Sequence, residues 1–232
     1  MKIALFNYSG NVGKTTLARL LAASLPGVKV ITLESVNDGV TGEQMRGDDD
    51  IDRVQAALIE HDDLILDVGA SNAEAFFAGL VRYAGMSDDI DVFVVPVMPT
   101  QKAQIDTLRS VRDLASLGVS PERIRVVFNG VGQRRTAEQE FPAIFAEQAL
   151  ERSFEIDPLL WMPDTPVFNH LRAAGGLSLF EAATDETDYR PLIRDERDAV
   201  KLERLQARLY GSRAAKPLLE RVQRLTGFMA GA

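Results

Sequence analysis

The residues best placed for chemistry are Gly10-Asn11-Val12-Gly13-Lys14-Thr15-Thr16, set between the apolar run Ile3-Ala4-Leu5-Phe6 and the helical pattern Leu17 to Ala23. A strand, a glycine loop and a helix in that order build an anion site, because converging backbone N–H groups meet the positive end of a helix. Lys14 then supplies a charge to the β- and γ-phosphates of a polyphosphate, the Thr15 hydroxyl can ligate Mg²⁺, and Gly13 lets the backbone approach closely. The strict pattern for such a loop has glycine at position 8, where this chain has Tyr8, so the match is partial. An ordinary strand-to-helix turn could use the same residue types, but the flanking periodicity and the Gly-Lys-Thr-Thr run argue against it.

Further candidates fall at the ends of other apolar runs. Asp67 closes Leu64-Ile65-Leu66, Glu34 follows Val28 to Leu33, Pro99 follows Val92 to Val97, and Asn129 ends Ile124 to Phe128. In an open parallel sheet ligands sit at the carboxyl ends of the strands, so these residues and Asn7 to Thr15 converge. Asp67 is placed to hold Mg²⁺ through water opposite Thr15, or to cap its strand. Glu34 is placed to polarise water near a γ-phosphate, or is a surface acid. Asn129 can donate to and accept from an adenine edge, or form a turn before Gly130.

The elements that must position these groups alternate. Apolar runs of five or six residues, buried on both faces, are separated by helical patterns at Ile51 to Leu58, Ala73 to Tyr83 and Gln101 to Leu117. The expected fold is α/β, a doubly wound, mostly parallel sheet with flanking helices and right-handed crossovers. Residues 35 to 50 read as a Gly-, Asn- and Asp-rich loop, with Asp48-Asp49-Asp50 opening a helix rather than binding metal. Thr136 to Arg152 is expected as one helix with Phe141, Ile144, Phe145 and Leu150 in the core, Asp157 to Pro163 as an extended segment, and Phe168 to Phe180 as a short helix broken at Gly175-Gly176.

Composition narrows the functional classes. With no cysteine in 232 residues there is no disulfide, thiolate metal site or iron–sulfur cluster, and the two histidines, His61 and His170, lack ligand spacing. No run reaches the length of a membrane span and no secretory leader is seen, so a cytoplasmic protein is expected. The net charge of −8 is uneven: from Arg190 onward ten Lys or Arg face five acids, a net of +5 that leaves −13 on residues 1–189. The expected division is a nucleotide-binding domain over 1–185 and a basic helical extension over 186–232, with an anionic partner for the extension.

The stretch from Ile3 to Ala18 resembles, without a gap, the deviant Walker A segment of ParA/MinD-type P-loop ATPases, and the order of Glu34, Asp67 and Asn129 resembles their switch acid, Walker B acid and base-binding Asn. The likeness covers roughly residues 1 to 180 and is most similar to StbB-type plasmid stability and conjugation accessory proteins. It implies an ATP- and Mg²⁺-dependent switch in plasmid partition, stability or positioning, with nucleotide contacts from Ser9, Gly10, Asn11, Val12, Gly13, Lys14, Thr15, Thr16 and Asn129. It implies Lys14, Glu34 and Asp67 in catalysis, Thr15 and Asp67 around Mg²⁺, and a homodimer. Two positions depart from the family: Ser9 stands where the signature lysine belongs, and Asn11 replaces a glycine that Asn can mimic in left-handed geometry. Losing that lysine predicts slow hydrolysis or a partner that donates an arginine.

In the extension, Arg190, Arg194, Arg197, Lys201, Arg204 and Arg208 recur every three or four residues, which on one continuous helix makes a stripe. The stripe suits plasmid DNA, a DNA-binding partner or anionic lipid, or is a solvated face. The apolar positions Leu218, Leu219, Val222, Leu225, Phe228 and Met229 suit docking better than membrane contact. Two other readings compete: an ATP-dependent ligase resembling dethiobiotin synthetase, which needs polar substrate contacts near 35–45, and a scaffold that binds nucleotide without hydrolysing it.

Overall fold

The computed structural model describes residues 1–34, 43–45 and 50–230. Its contacts divide the chain into two compact units, Met1–Pro163 joined by the chain end from Leu225, and Asp164–Arg224. The division expected at 185/186 rests on charge rather than contacts and is taken up below as a functional proposal.

Among the described residues the first unit holds seven parallel strands: β1 (Lys2–Leu5), β2 (Lys29–Leu33), β3 (Glu43–Met45), β4 (Leu64–Val68), β5 (Val92–Val97), β6 (Ile124–Val131) and β7 (Trp161–Pro163), in the order β3-β2-β4-β1-β5-β6-β7. Helices α1 (Lys14–Ser24), α2 (Ile51–Glu60), α3 (Ala73–Arg82), α4 (Gln101–Ser116), α5 (Ala137–Glu140) and α6 (Pro142–Glu151) connect or follow them. This is the expected parallel α/β architecture. β4 and β5 are buried at every residue, as strands covered on both faces must be. Phe6, Phe76, Phe93, Phe128, Phe141 and Phe154 are among the largest fully buried side chains. The connections leaving the neighbours β1 and β5 run to opposite sides, so the loop after β1 opens at a switch point.

One apparent misfit positions the site. Pro96 lies inside a strand paired on both sides, where a missing N–H is normally excluded. Its carbonyl points toward β1, so its nitrogen does too, and there β1 has already turned away: the last ladder bond runs from the Phe6 N–H to the Val94 carbonyl at 2.9 Å. The Asn7 side chain continues the ladder by donating to the Pro96 carbonyl at 2.8 Å.

Several expectations are corrected. Residues 43–45 form β3 inside the segment read as a loop, while 35–42 and 46–49, with Asp48 and Asp49, lie outside the described residues. The helix expected over 136–152 is two, because Pro142 starts α6 anew after a Thr136–Gln139 capping box opens α5. Phe141 and Ile144 are core residues and Phe145 packs against the core, but Leu150 is 77% exposed.

The second unit contains α7 (Val167–Ala173), α8 (Leu179–Thr184), α9 (Tyr189–Asp195) and most of α10 (Ala199–Ala230). The basic stripe is not one helical face, because residues 196–198 are non-helical and separate α9 from α10. Arg204 and Arg208 gather at the carbonyl end of α7. The Arg204 guanidinium lies where a side chain on Gly175 would stand, and Arg208 Nε donates to the Ala174 carbonyl at 3.5 Å. Cations belong at that end of a helix dipole, so these two arginines have a structural use. Of the apolar positions named above, Leu218, Val222, Leu225 and Met229 are buried and Leu219 and Phe228 are half-buried. No helix among the described residues is long and apolar enough to cross a membrane.

The chain end is held in the first unit by Arg125 of β6, whose Nη1 donates to the Phe228 carbonyl at 2.6 Å and whose guanidinium stands 5.2 Å from the Phe228 ring centre. Arg125→Leu removes a charged donor from a half-buried carbonyl, at a cost of about 1–3 kcal/mol. Limited proteolysis should then release the last turn of α10 while the fragment carrying β4 to β7 stays protected.

Candidate functional site

The loop after β1 is shaped by backbone geometry that only some residues tolerate. Gly13 has φ 92° and Asn11 φ 56°, so the Asn at the glycine position adopts the left-handed conformation its short polar side chain permits. A side chain on Gly13 would come within 2.2 Å of Asn129 Nδ2, so that residue must be glycine. Asn129 fixes the loop in turn, donating from Nδ2 to the Val12 carbonyl at 2.8 Å. At least one of its amide hydrogens thus serves the loop.

The N-terminus of α1 is prepared for an anion. Its N-cap is Gly13, no side chain caps it, and its first turn carries no acid, although α2 and α3 begin with Asp52 and Glu74. In a chain of net charge −8, this helix places no acid of its own and no side-chain cap over the donors of its first turn.

Lys14 opens α1 and is buried, with Nζ donating to the Asn7 carbonyl at 2.9 Å and the Ser9 carbonyl at 2.8 Å. Two neutral acceptors do not offset the loss of water around the ammonium, so burial pulls its pKa down to about 8 against the opposing pull of Asp67 and Glu34. Asp67, 2% exposed, faces the same place from the end of β4. Burial pushes its carboxyl up, opposed by a hydrogen bond with Thr15 and by the charges of Lys14 and Arg19. Asp67 Oδ1 has no hydrogen-bond partner. A buried, orphaned carboxylate oxygen beside a hydroxyl fits a hard divalent cation with oxygen ligands, the requirement of Mg²⁺. Thr15 and Asp67 are the residues that would hold it through water; among the described residues no group of three or more His, Cys, Asp or Glu could bind a metal by itself.

Glu34 reaches this cluster through the loop after β4. The Gly69 N–H donates to the Leu33 carbonyl at 2.9 Å, Asn72 Nδ2 donates to the same carbonyl at 3.2 Å, and a side chain on Gly69 would press within 3.2 Å of Glu34 Cγ. The structure therefore brings Ser9 to Thr16, Glu34, Asp67 and Asn129 to one end of the sheet. Polar residues of α4 escaped the sequence reading. Thr107 and Ser110, both fully buried, take hydrogen bonds from Asn7 Nδ2 at 2.7 Å and from the Tyr8 N–H at 3.2 Å. Their only sequence signal is a polar pair on the buried side of an otherwise amphipathic helix.

No family model and no curated protein matches the sequence. Solved structures do match the fold. Apo McdA from Cyanothece is similar over 92% of this chain and 98% of its own, with a TM-score of 0.54 and 14% identity. The MinC:MinD cell division complex of Aquifex aeolicus gives 0.51 at 17% identity over 90% and 94%. A putative plasmid partition protein from Borrelia burgdorferi, bound to AMPPNP, gives 0.50 at 12% over 90% and 96%. What the chain shares with these structures is the fold, a parallel α/β sheet with flanking helices.

Proposed function

We propose that the chain is a nucleotide-dependent switch of ParA/MinD type, binding ATP and Mg²⁺ in the loop after β1 and hydrolysing ATP slowly. The observation that carries this reading is the buried Asp67 with its orphaned Oδ1, set with the Thr15 hydroxyl and Lys14 around an uncapped helix start. Fold alone does not give function, whereas a desolvated acid and base facing an anion cradle are costly features with a chemical use. Lys14 and the α1 amides bind and orient the phosphates. Bound Mg²⁺ would neutralise phosphate charge as the bond to the γ-phosphorus breaks. Glu34 positions the attacking water, and Asn129 holds the loop and meets the base edge.

Ser9 adds no charge where a lysine would assist the transition state, so hydrolysis is slow and a partner or a second copy supplies the missing cation. ATP-dependent pairing of two copies belongs to this reading. The basic extension, 186–232, meets plasmid DNA or a protein bound to it, in partition, plasmid stability or conjugation. Its contact surface is supported less by the stripe around Arg204 and Arg208 than by Arg213, Lys216 and Arg224, exposed at helical spacing on α10 with Glu220 among them.

Calorimetric titration with ATP and Mg²⁺ tests the core of the proposal. Micromolar binding is expected with Mg²⁺ and binding at least tenfold weaker in EDTA, while phosphate release stays slow without partner. Absence of ATP binding overturns it. Rapid hydrolysis by the isolated chain would reject the role given to Ser9.

A further inference from the structure

The entry to the phosphate loop is tied to α4 by contacts that a phosphate site does not itself require. Tyr8 stands where the strict loop pattern has glycine. Its hydroxyl donates to Asp113 Oδ2 at 2.8 Å, its ring meets Phe6 edge-on at 5.2 Å between centres, and the Arg109 guanidinium lies over the ring, 4.1 Å from its centre. Arg109 is itself steered by Asp113 at 3.7 Å and by Glu74 of α3 at 3.4 Å. The backbone is fastened with the side chain: the Tyr8 N–H donates to Ser110 Oγ, and the Ser9 N–H donates to Asn7 Oδ1 at 2.8 Å. The amides of residues 8 and 9 are thereby engaged by the protein, so the donors left for an anion begin at Gly10.

We infer that Tyr8 is a positioning residue for this loop, clamped between Asp113 and Arg109 of α4 so that the carbonyls of Asn7 and Ser9 stay turned onto Lys14 and the amides from Gly10 onward face the phosphates. The inference rests on the nucleotide reading above. Its physical content is preorganisation: a loop already held in the binding shape loses less conformational freedom when the ligand arrives. A glycine at position 8 could not hold α4, and a phenylalanine could pack on Phe6 and Arg109 but not reach Asp113. Partial burial and the neighbouring Asp113 carboxylate keep the half-buried phenol protonated well above its ordinary range, so the hydroxyl remains the donor across physiological pH.

The test uses the full chain in four forms: wild type, Tyr8→Phe, Asp113→Ala and Asp113→Asn, the last keeping an oxygen that can accept from the phenol. Each is titrated with Mg-ATP, and amide hydrogen exchange of residues 8–14 is followed without ligand. Tyr8→Phe and Asp113→Ala should bind Mg-ATP about tenfold more weakly and exchange faster in the loop, while Asp113→Asn restores most of the affinity. Equal affinity and unchanged exchange in Tyr8→Phe overturn the inference. So does a loss of affinity that Asp113→Asn fails to restore, or one that only follows the fraction unfolded in thermal melts. If wild type binds no nucleotide, the nucleotide reading fails, and exchange alone decides the clamp: a loosened loop in Tyr8→Phe sustains it and an unchanged loop refutes it.

Discussion

Lys14→Ala should weaken Mg-ATP binding by about two orders of magnitude or more while leaving the fold intact. Charge-assisted hydrogen bonds contribute about 1.5–3 kcal/mol each, and an ammonium bridging two phosphates forms at least two, which is roughly a 100-fold loss or more in affinity. The fold survives because without ligand Lys14 is a liability. It is a buried ammonium facing two neutral carbonyls, with its pKa drawn down to about 8. In the unfolded chain the same group keeps its proton to about 10.5. Between these values the unfolded state binds more protons, so this group's penalty on stability is fully present below pH 8 and is relieved as pH rises from 8 to 10.5. Alanine removes the penalty and suits the first turn of a helix.

The same pKa sets the pH dependence of binding. Polyphosphate favours charged Lys14, so above pH 8 binding must take up a proton, and wild-type affinity should fall toward tenfold per pH unit. The alanine variant should show no such limb. Isothermal titration from pH 7 to 9.5, with melting temperatures at each pH, measures both effects. Retained affinity in Lys14→Ala would count against the entire site.

Much of this arrangement is legible in the sequence for a physical reason. Strands buried on both faces must be continuous apolar runs, so β4 and β5 announce themselves and the residues at their ends fall at the ligand edge. Asp67 falls there at the end of β4 and Glu34 after β2, and Asn11 is read as a left-handed position from its chemistry alone. What escapes depends on contacts distant in sequence. Short β3 has no apolar run of its own, Pro142 restarts a helix that periodicity alone would continue, and Leu150 is apolar without being buried. The break at 196–198 matters most, since three non-helical residues turn a six-residue basic stripe into two pieces. The clamp on Tyr8 is invisible for the same reason: Asp113 is 105 residues away, and nothing in a helix of mixed polarity says which of its polar residues meets a loop.

Asp67→Asn should raise the stability of the ligand-free protein while removing its response to Mg²⁺ and nucleotide. Asp67 is 2% exposed, its Oδ1 is unpartnered, and burial outweighs Thr15, Lys14 and Arg19 in setting its pKa above the ordinary carboxylate value. The folded state therefore holds a proton that the unfolded state has already released. Stability from this group falls as pH rises through that window and stays reduced above it. An amide of the same shape carries no charge to desolvate, which should stabilise the apo protein by about 1 kcal/mol, or roughly 2–4 °C for a chain of this size. The two proteins should converge in acid, where the wild-type carboxyl is also neutral. With Mg-ATP the order reverses, because ligand stabilises only in proportion to its affinity, and a neutral amide beside Thr15 cannot balance the charge of a divalent cation. Hydrolysis should drop by about 100-fold or more, as when one electrostatic stabiliser is removed from a buried site. Melting curves of both proteins from pH 7 down to below the unfolded carboxyl value of 3.8, with and without Mg-ATP, should cross in this pattern. An apo variant less stable than wild type at pH 7 would mean that the carboxylate is held by a partner, and that Asp67 serves the fold rather than the metal.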